Sequence, residues 1–420
     1  MELIEKVLSN QNLYEAYLQV YRNKGASGID GVTVDELGEY LYENKEEIKK
    51  QILNRKYKPQ PVRRVEIPKE NGKMRLLGIP TVVDRVLQQA LVQVLSPIYE
   101  LQFSNSSYGF RSLRSCEMAV TRSLELMNDG NDYIVDIDLE RFFDTVNQDK
   151  LISIIRRTIK DGEVVSLIRK FLQSGVMVNG VEQATLTGTP QGGNLSPLLS
   201  NIMLNELDKE LEARGLNFTR YADDCLIYLK SQKAAERVME TITKFIEKKL
   251  GLIVNVSKSK ISRPKGIKYL GFGFYNKNGT WRPKPHLKSV EKLIQKLKKL
   301  LCRSWSISLD HRLLKLKQLI YGWVNYFKIA DMKKLMETLD ENIRRKIRVV
   351  IWKQWKKMTR KYKNLRKLGI THELAYMTAT TSKGNYVVGN TRCLKIAINN
   401  KRLNKRGLVS LLDRYNKVHI

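Results

Sequence analysis

Residues 218–229 read FTRYADDCLIYL, in which two apolar runs meet at the acidic pair Asp223-Asp224. This pattern predicts two antiparallel strands joined by a tight turn. Taken alone, an acidic pair is most often a solvated turn, because aspartate is a common turn residue. Here the turn would hold two carboxylates above a buried sheet, where acidic groups persist only when they are paired or bound to a metal. We therefore interpret the pair as part of a metal site.

A third carboxylate is expected from IVDIDL at 134–139, which has the composition of a short strand. Asp138 is a candidate ligand, and Asp136 is an alternative because the two lie on the same strand face. The spacing leaves the choice between them open. Three aspartates on neighbouring strands suffice for two-metal phosphoryl transfer, in which the cations lie roughly 3.5–4 Å apart. Because carboxylate oxygens are hard ligands, Mg²⁺ fits better than zinc.

A basic hairpin is expected at 57–80, because two strand-like runs flank Asn71-Gly72, a dipeptide that supplies the positive φ angles of a tight turn. Arginine and lysine side chains on such a hairpin could clamp a triphosphate. A solvated charged strand would have the same composition, so the pattern alone leaves both interpretations open. The candidate phosphate-binding residues are Arg63, Arg64, Lys69 and Arg75.

The segment TPQGGNLSPLLSN at 189–201 combines glycines with the start of a helix. Gly188, Gly192 and Gly193 allow the backbone to approach another group closely, and Ser196-Pro197 is a typical helix start. A helix N-terminus suits a phosphate or a templating base. A plain loop before a helix is about equally common, so this segment alone does not identify a ligand.

Positive charge is concentrated at one end of the chain. The formal net charge is +32, and residues 284–420 contribute +26 of it, with 34 Lys and Arg against 8 Asp and Glu. So large a charge is typical of proteins that bind nucleic acid. No run approaches the length of a membrane span and the N-terminus lacks the features of a signal peptide, so we expect a cytoplasmic protein. The scattered cysteines and histidines encode neither a disulfide framework nor a zinc site.

The periodicities predict an α+β layer fold, in which helices and strands mix along the chain. Residues 1–55 are expected to form a helical extension with a glycine-rich loop, and residues 56–283 a mixed helical and strand region. After Pro283-Lys284-Pro285 the sequence changes to basic amphipathic helices. We therefore place a domain boundary between residues 283 and 284.

Seven segments occur in the order and spacing of the reverse transcriptase motifs, and the chain resembles that family. The resemblance implies an RNA-directed DNA polymerase of right-hand architecture, with fingers, a palm built on an antiparallel sheet, and an α-helical thumb. The segments are the hairpin at 57–80, SYGFR at 107–111, DIDLERFFD at 136–144, TPQGGNLSPLLSN at 189–201, YADD at 221–224, LGLIVNVSKSK at 250–260 and KYLGFGF at 268–274.

The resemblance also implies roles for individual residues. Asp138, Asp223 and Asp224 would be the catalytic ligands of Mg²⁺, for which Mn²⁺ can substitute. Phe143 would stand against the sugar of the incoming dNTP and exclude a 2′-hydroxyl by steric clash. The residues implied to contact the dNTP are Lys69, Arg75, Arg63, Phe143, Gln191, Gly192 and Lys260.

Three features resemble the group II intron-encoded lineage in particular: the loop NKGASGIDG at 23–31, the YADD form, and GWVNYF at 322–327. This resemblance implies a maturase that binds its group II intron RNA and aids splicing and retrohoming. Its other implied partners are an RNA template and a DNA primer or target, at the nucleoid of a bacterial cell. The basic end would divide into a thumb or maturase domain at 284–360 and a DNA-binding domain at 361–420.

No paired cysteines or clustered histidines follow Lys361, so the expected branch is the bacterial, group IIC-like one that lacks an endonuclease. Two alternatives stay open. One is an RNA-binding splicing cofactor with a vestigial polymerase site, although the intact aspartates, PQG and YADD argue against decay. The other is a free-standing or defence-associated reverse transcriptase, which would normally lack the GWVNYF region.

Overall fold

The computed structural model describes residues 2–419 except residues 69–71, 73, 179, 186, 190 and 191, and describes the backbone but not the side chain of Arg75. Lys69 and Gln191, both expected to contact the dNTP, lie outside the described residues. The chain divides into two compact units between Pro264 and Lys265. Helices and sheets occur in both units, which confirms the predicted α+β class.

The first unit packs helices around two four-stranded sheets. Its helices are α1 (Leu3–Val7), α2 (Asn10–Asn23), α3 (Leu37–Leu53), α4 (Val82–Glu100), α5 (Cys116–Asn128), α6 (Phe142–Thr145), α7 (Gln148–Thr158), α8 (Gly162–Leu172), α9 (Ser196–Ala213) and α10 (Gln232–Phe245), which continues into a π-helical turn at Ile246–Leu250. Its strands are β1 (Val62–Pro68), β2 (Met74–Ile79), β3 (Tyr133–Ile137), β4 (Val176–Val178), β5 (Val181–Gln183), β6 (Asn217–Tyr221), β7 (Asp224–Leu229) and β8 (Lys260–Ser262).

The two sheets contain the two hairpins that the sequence predicts. The central sheet has the order β6-β7-β3-β8, and its neighbouring strands are all antiparallel. The hairpin sheet has the order β2-β1-β4-β5, in which β1 and β2 are antiparallel and β1 and β4 are parallel. Residues 225–229 of β7 are all buried, because this strand lies in the middle of the central sheet and packs into the core.

Helix α4 is buried on nearly all sides, and its buried residues include the polar Asp84, Arg85 and Gln88. Its N-terminus is capped by Thr81, whose hydroxyl accepts a hydrogen bond from the Asp84 N–H at 3.2 Å. The buried Asp84 carboxylate accepts hydrogen bonds from the Tyr57 hydroxyl at 2.7 Å and the Gln60 N–H at 3.0 Å. Burial raises the pKa of Asp84 to about 6. These contacts fix the start of α4 against the chain that enters β1.

The second unit joins a small sheet to a series of basic helices. The sheet has the order β11-β10-β9 and precedes the first of these helices. Its strands are β9 (Lys268–Tyr269), β10 (Phe272–Lys277) and β11 (Thr280–Pro285). Its helices are α11 (Leu287–Leu300), α12 (Leu309–Tyr326), α13 (Lys333–Gln354), α14 (Met358–Lys367), α15 (His372–Ala379), α16 (Asn385–Val388), α17 (Arg392–Ala397), α18 (Asn400–Lys405) and α19 (Leu411–Val418).

The division between the units lies before the boundary that the change in composition predicts at 283/284. Strands β9 to β11 belong to the second unit, although they precede the change to basic amphipathic helices on which the predicted boundary rests. The four-part division into 1–55, 56–283, 284–360 and 361–420 stays a prediction about function. Across the described part of the chain, every helix is too short or too polar to cross a lipid bilayer.

We expect Leu91→Ala to lower the free energy of unfolding by about 2–5 kcal/mol, because it leaves a cavity in a close-packed core. Leu91 lies in the middle of α4 and is 0% exposed, whereas Leu101 just beyond that helix is 91% exposed. Leu101→Ala is therefore the matched control and should change stability by no more than about 0.5 kcal/mol. Urea unfolding of the two variants measures the difference, and equal effects would contradict the assignment of α4 to the core.

Candidate active site

The acidic turn lies at one end of the central sheet. Strands β6 and β7 pair with Tyr221 opposite Asp224, so Ala222 and Asp223 form a two-residue connection. Ala222 has a φ of +56°, in the left-handed region that tight hairpin turns use. Asp223 is partly exposed and Asp224 is exposed. The predicted hairpin is therefore present, and its turn places Asp223 and Asp224 at one end of the central sheet.

Asp138 is the first residue after β3 and lies at the same end of the central sheet. The antiparallel register of β3 and β7, continued by one residue, places Asp138 opposite Asp224. The Asp138 carboxylate accepts a hydrogen bond from the Lys258 ammonium at 3.1 Å. Its backbone N–H donates to the Ser259 hydroxyl at 3.1 Å. The segment before β8 therefore holds the end of β3 in place.

Asp136 lies two residues further into the sheet, on the same strand face as Asp138. Its partners across the sheet are Leu226 on β7 and Lys260 on β8. Burial raises the pKa of the Asp136 carboxyl to about 6; the Lys260 ammonium opposes this rise and Asp138 adds to it. The register thus distinguishes the two aspartates that the spacing could not, because only Asp138 lies opposite the acidic turn.

The donor chemistry at this end of the sheet fits a divalent cation. The backbones of Asp138, Asp223 and Asp224 come together there, and their side chains carry only hard oxygen donors. Among the residues that the structure describes, no three acidic, histidine or cysteine side chains converge closely enough to form a complete metal-binding group. The assignment of these aspartates as ligands therefore stays a prediction.

A buried ion pair is hydrogen-bonded to the backbone of the acidic turn. Arg220 on β6 and Asp208 on α9 are both 0% exposed, and two guanidinium nitrogens of Arg220 donate to the two carboxylate oxygens at 2.7 and 2.5 Å. The third nitrogen donates to the Ala222 carbonyl at 2.9 Å and to the Asn201 side-chain oxygen at 3.1 Å. The acidic turn is thus hydrogen-bonded to Arg220, and the ion pair with Asp208 attaches Arg220 to α9.

The segment SYGFR packs directly against the same turn. The Tyr108 N–H donates to the Arg220 carbonyl and the Arg220 N–H donates to the Ser106 carbonyl, each at 2.8 Å, so this segment lies beside β6 like a further strand. A Cβ at Gly109 would lie closer than 3.0 Å to the Ala222 nitrogen, a distance that real side chains do not adopt. Only glycine therefore fits at this contact.

A cleft of about 300 Å³ lies between the hairpin sheet and the segment that follows β3. The hairpin contributes Arg64 and Gly78, and the segment after β3 contributes Arg141 and Phe143. The Phe143 carbonyl accepts a hydrogen bond at 2.6 Å from the N–H of Thr189, which also lines the cleft. The cleft thus combines two guanidinium groups with one aromatic ring, a combination that suits a nucleotide.

The glycine-rich segment before α9 meets the hairpin sheet. Gly192 has a φ of +117°, and a Cβ there would lie closer than 3.0 Å to the Gly78 carbonyl oxygen. Both the backbone angle and the close approach therefore require glycine at position 192. The backbones of Gly192 and Gly78 are therefore in direct contact.

Residues 67–274 match the family model described as reverse transcriptase (RNA-dependent DNA polymerase), and residues 290–369 match the group II intron, maturase-specific domain. Protein YkfC of Escherichia coli K12 is 33% identical over 320 residues, which cover 66% of this chain and 84% of that protein. The chain belongs to the group II intron-encoded reverse transcriptase family.

Two further relatives carry intron-related names. The group II intron-encoded protein LtrA of Lactococcus lactis subsp. cremoris is 44% identical over 213 residues, covering 49% of this chain and 34% of LtrA. The putative COX1/OXI3 intron 2 protein of Saccharomyces cerevisiae is 30% identical over 345 residues, covering 67% of this chain and 40% of that protein. The match therefore spans well under half the length of these two relatives.

The residues that the reverse transcriptase resemblance assigns to the dNTP are only partly grouped together. Phe143 lines the cleft, and Gly192 packs on the hairpin close by. Arg63 pairs with Ile79 within the hairpin sheet, and its buried Nε has no hydrogen-bond partner among the described residues. Lys260 is exposed on β8, in the central sheet. Arg75 pairs with Ile67 through its backbone, and its side chain is outside the described part of the chain.

Sequence reasoning missed several residues of this site. Lys258 contacts Asp138, and Arg141 lines the cleft together with Arg64. Arg220 and Asp208 were also missed. A signal for Arg220 was available, because a charged residue inside an apolar strand is buried and needs a partner. The partner, Asp208, could not be predicted from the sequence, since its contact with Arg220 depends on how α9 packs against β6.

We expect Gly109→Ala to reduce nucleotide incorporation about 100-fold, because the new methyl group displaces the backbone of the acidic turn, and small displacements at a reacting centre have effects of this size. Gly384→Ala is the matched control, since a Cβ at Gly384 meets nothing within 4 Å. Primer extension on a primed RNA template measures the rates, and thermal unfolding establishes that both variants are folded. A folded Gly109→Ala variant with the unmodified rate would contradict this role for the glycine.

Proposed function

We propose that this protein is an RNA-directed DNA polymerase that extends a primer with dNTPs and also binds its group II intron RNA as a maturase. The observation that carries the proposal is the strand register, which brings the backbones of Asp138, Asp223 and Asp224 to one end of the central sheet. Membership of the reverse transcriptase family supports the same reaction. A nucleic-acid substrate would place the protein at the nucleoid of a bacterial cell.

The proposed cofactor is Mg²⁺, held by Asp138, Asp223 and Asp224. When bound, the cations supply charge neutralisation at the primer 3′-hydroxyl and at the pyrophosphate leaving group. The aspartates position this charge and do not act as bases. The ion pair beneath the turn keeps the Ala222 carbonyl fixed, so Asp223 and Asp224 are held by a rigid backbone.

The cleft beside Phe143 is the proposed site of the incoming dNTP. Its two guanidinium groups, Arg64 and Arg141, would bind phosphate oxygens, because arginine forms paired, charge-assisted hydrogen bonds to phosphate. Phe143 would lie against the sugar and reject a 2′-hydroxyl. Lys69, Arg75 and Gln191 are proposed as further contacts on the strength of the family resemblance alone.

The second unit is the proposed binding surface for structured intron RNA and for the template and primer. Residues 290–369 match the maturase-specific domain, and residues 284–420 carry a net charge of +26. Such a charge supports contacts to phosphate backbones, which dominate the affinity of proteins for nucleic acids. Recognition of RNA by shape and backbone would suit this composition.

We expect Asp224→Asn to reduce Mg²⁺-dependent dNTP incorporation at least about 100-fold, because it removes a charged ligand from a phosphoryl-transfer site. Asp132→Asn is the matched control, since Asp132 precedes the opposite end of β3 and pairs with Arg263 at 3.1 Å. Primer extension on an RNA template, with Mg²⁺ varied, measures both. If well-folded unmodified protein binds RNA but synthesises nothing, the polymerase proposal fails and a splicing cofactor that acts by binding alone takes its place.

We expect Phe143→Ala to raise incorporation of ribonucleotides relative to dNTPs about tenfold or more, since removing a ring opens space for a 2′-hydroxyl and steric selection in a pocket has this magnitude. Phe143→Tyr retains the ring and should retain the selectivity. Competition between rNTP and dNTP of the same base measures the ratio. An unchanged ratio in the alanine variant would show that another group excludes the hydroxyl.

A further inference from the structure

A strongly basic cleft of about 540 Å³ lies where α13 ends and α14 begins. Lys356 and Lys357 line it from the connection between the helices, and Arg360 and Lys363 line it from α14. The ring of Trp355 forms part of its wall. The residues that line it include no carboxylate, so the cleft concentrates positive charge around an aromatic surface.

Within the part of the chain that the structure describes, carboxylates do not neutralise the charge of this cleft. Among the described residues, no carboxylate lies within ion-pair distance of Lys356, Lys357, Arg360 or Lys363. Their mutual repulsion opposes folding, since like charges close together destabilise a compact state. An anionic ligand that brings several negative charges would relieve this repulsion, and a phosphodiester backbone is such a ligand.

A second, smaller cleft of about 210 Å³ adjoins the basic one. Trp355 and Asn364 line both clefts. The lining of the smaller cleft is mostly apolar and includes Ile351, Ile398 and Leu403. The basic residues Lys367, Arg402 and Arg406 also line it. An apolar slot beside a basic surface matches the two parts of a nucleotide, because its base is flat and largely apolar on its faces while its phosphate is anionic.

Of the two neighbouring tryptophans in this region, Trp355 is the more exposed. Trp352 is 1% exposed and is a core residue, and the Lys361 ammonium lies 4.6 Å from the centre of its ring. The ring of Trp355 lies 5.8 Å from that of Trp352 and remains partly exposed where the clefts meet. Exposed tryptophan beside lysine and arginine is typical of surfaces that stack unpaired bases.

We propose that these two clefts form a binding site for single-stranded nucleic acid, with the backbone along the basic cleft and one unpaired base stacked on Trp355 in the apolar slot. The proposal rests on the proposed function, since it specifies one strand that the second unit holds. A duplex does not fit the slot, because its bases are already stacked on one another. The unpaired strand is either RNA or DNA, and both have the chemistry required.

Binding of the full-length protein to labelled strands of about 12 nucleotides tests the proposal, since sites of this type span roughly 4–16 nucleotides. Single-stranded RNA, single-stranded DNA and a duplex of the same sequence are compared without dNTPs. We expect Trp355→Ala to weaken binding of at least one single strand about tenfold and to leave duplex binding unchanged. Trp355→Phe should restore most of the affinity, and Trp281→Ala, in the small sheet, is the matched control.

The lysines are tested by the salt dependence of the same binding. The double substitution Lys356→Gln with Lys357→Gln should reduce the slope of log affinity against log salt by about 1.4, which corresponds to two lost phosphate contacts on a single strand. Lys233→Gln with Lys248→Gln, on exposed positions of the first unit, removes the same charge elsewhere and should leave the slope unchanged.

Unchanged affinity of the Trp355→Ala variant for both single strands overturns the proposal, and so does an equal loss for single strands and duplex. If the Trp355→Ala variant loses more affinity for single-stranded RNA than for single-stranded DNA, or the reverse, the result supports the proposal. The strand with the greater loss is then the one that the site binds. The outcome is separable from that of the polymerase proposal. Unchanged single-strand binding by the Trp355→Ala variant, together with normal primer extension by the unmodified protein, contradicts the site alone. The expected weakening of single-strand binding, together with no primer extension by the unmodified protein, contradicts the polymerase alone.

Discussion

The buried ion pair between Arg220 and Asp208 is the interaction on which the site depends. Neither side chain is exposed, so each charge is stable only because the other neutralises it at hydrogen-bond distance. Removing one partner of such a pair costs about 3–5 kcal/mol, because the other is left as an unpaired buried charge. The pair joins α9 to β6, and Arg220 also donates to the carbonyl of Ala222 in the acidic turn. The Arg220 guanidinium therefore contributes both to the stability of the fold and to the position of the acidic turn.

Close backbone contacts extend this constraint to other segments of the first unit. SYGFR touches the acidic turn at Gly109, and Gly192 touches the basic hairpin at Gly78. Neither contact leaves room for a Cβ, so the backbones at these two points are directly coupled. The cleft proposed for the nucleotide lies beside elements joined in this way, so these backbone contacts help to determine its shape.

Local patterns predicted the parts of this architecture that depend on neighbouring residues. FTRYADDCLIYL predicted the acidic hairpin because turn chemistry and strand alternation are readable over a few residues. The choice between Asp136 and Asp138 was not readable, since it depends on the register of β3 against β7, which are distant in sequence. The contact of Lys258 with Asp138 was missed for the same reason. Asp208 is only 12 residues from Arg220, but the packing of α9 against β6 is not encoded in the pattern of either element. The division at Pro264/Lys265 precedes the boundary predicted at 283/284 because packing, not composition, assigns the small sheet to the second unit.

Two buried arginines of the second unit donate to backbone carbonyls. Arg312 and Arg348 are almost fully buried, and the carbonyls that accept from their guanidinium groups include those of Trp305 and Ile398 at 2.9 Å. Burial lowers the pKa of both side chains, and these carbonyls accept hydrogen bonds without cancelling the charge. With 34 basic residues against 8 acidic ones in 284–420, internal pairing cannot neutralise this unit. A polyanion that binds it therefore also reduces its self-repulsion, so that nucleic-acid binding and folding of this unit stabilise each other.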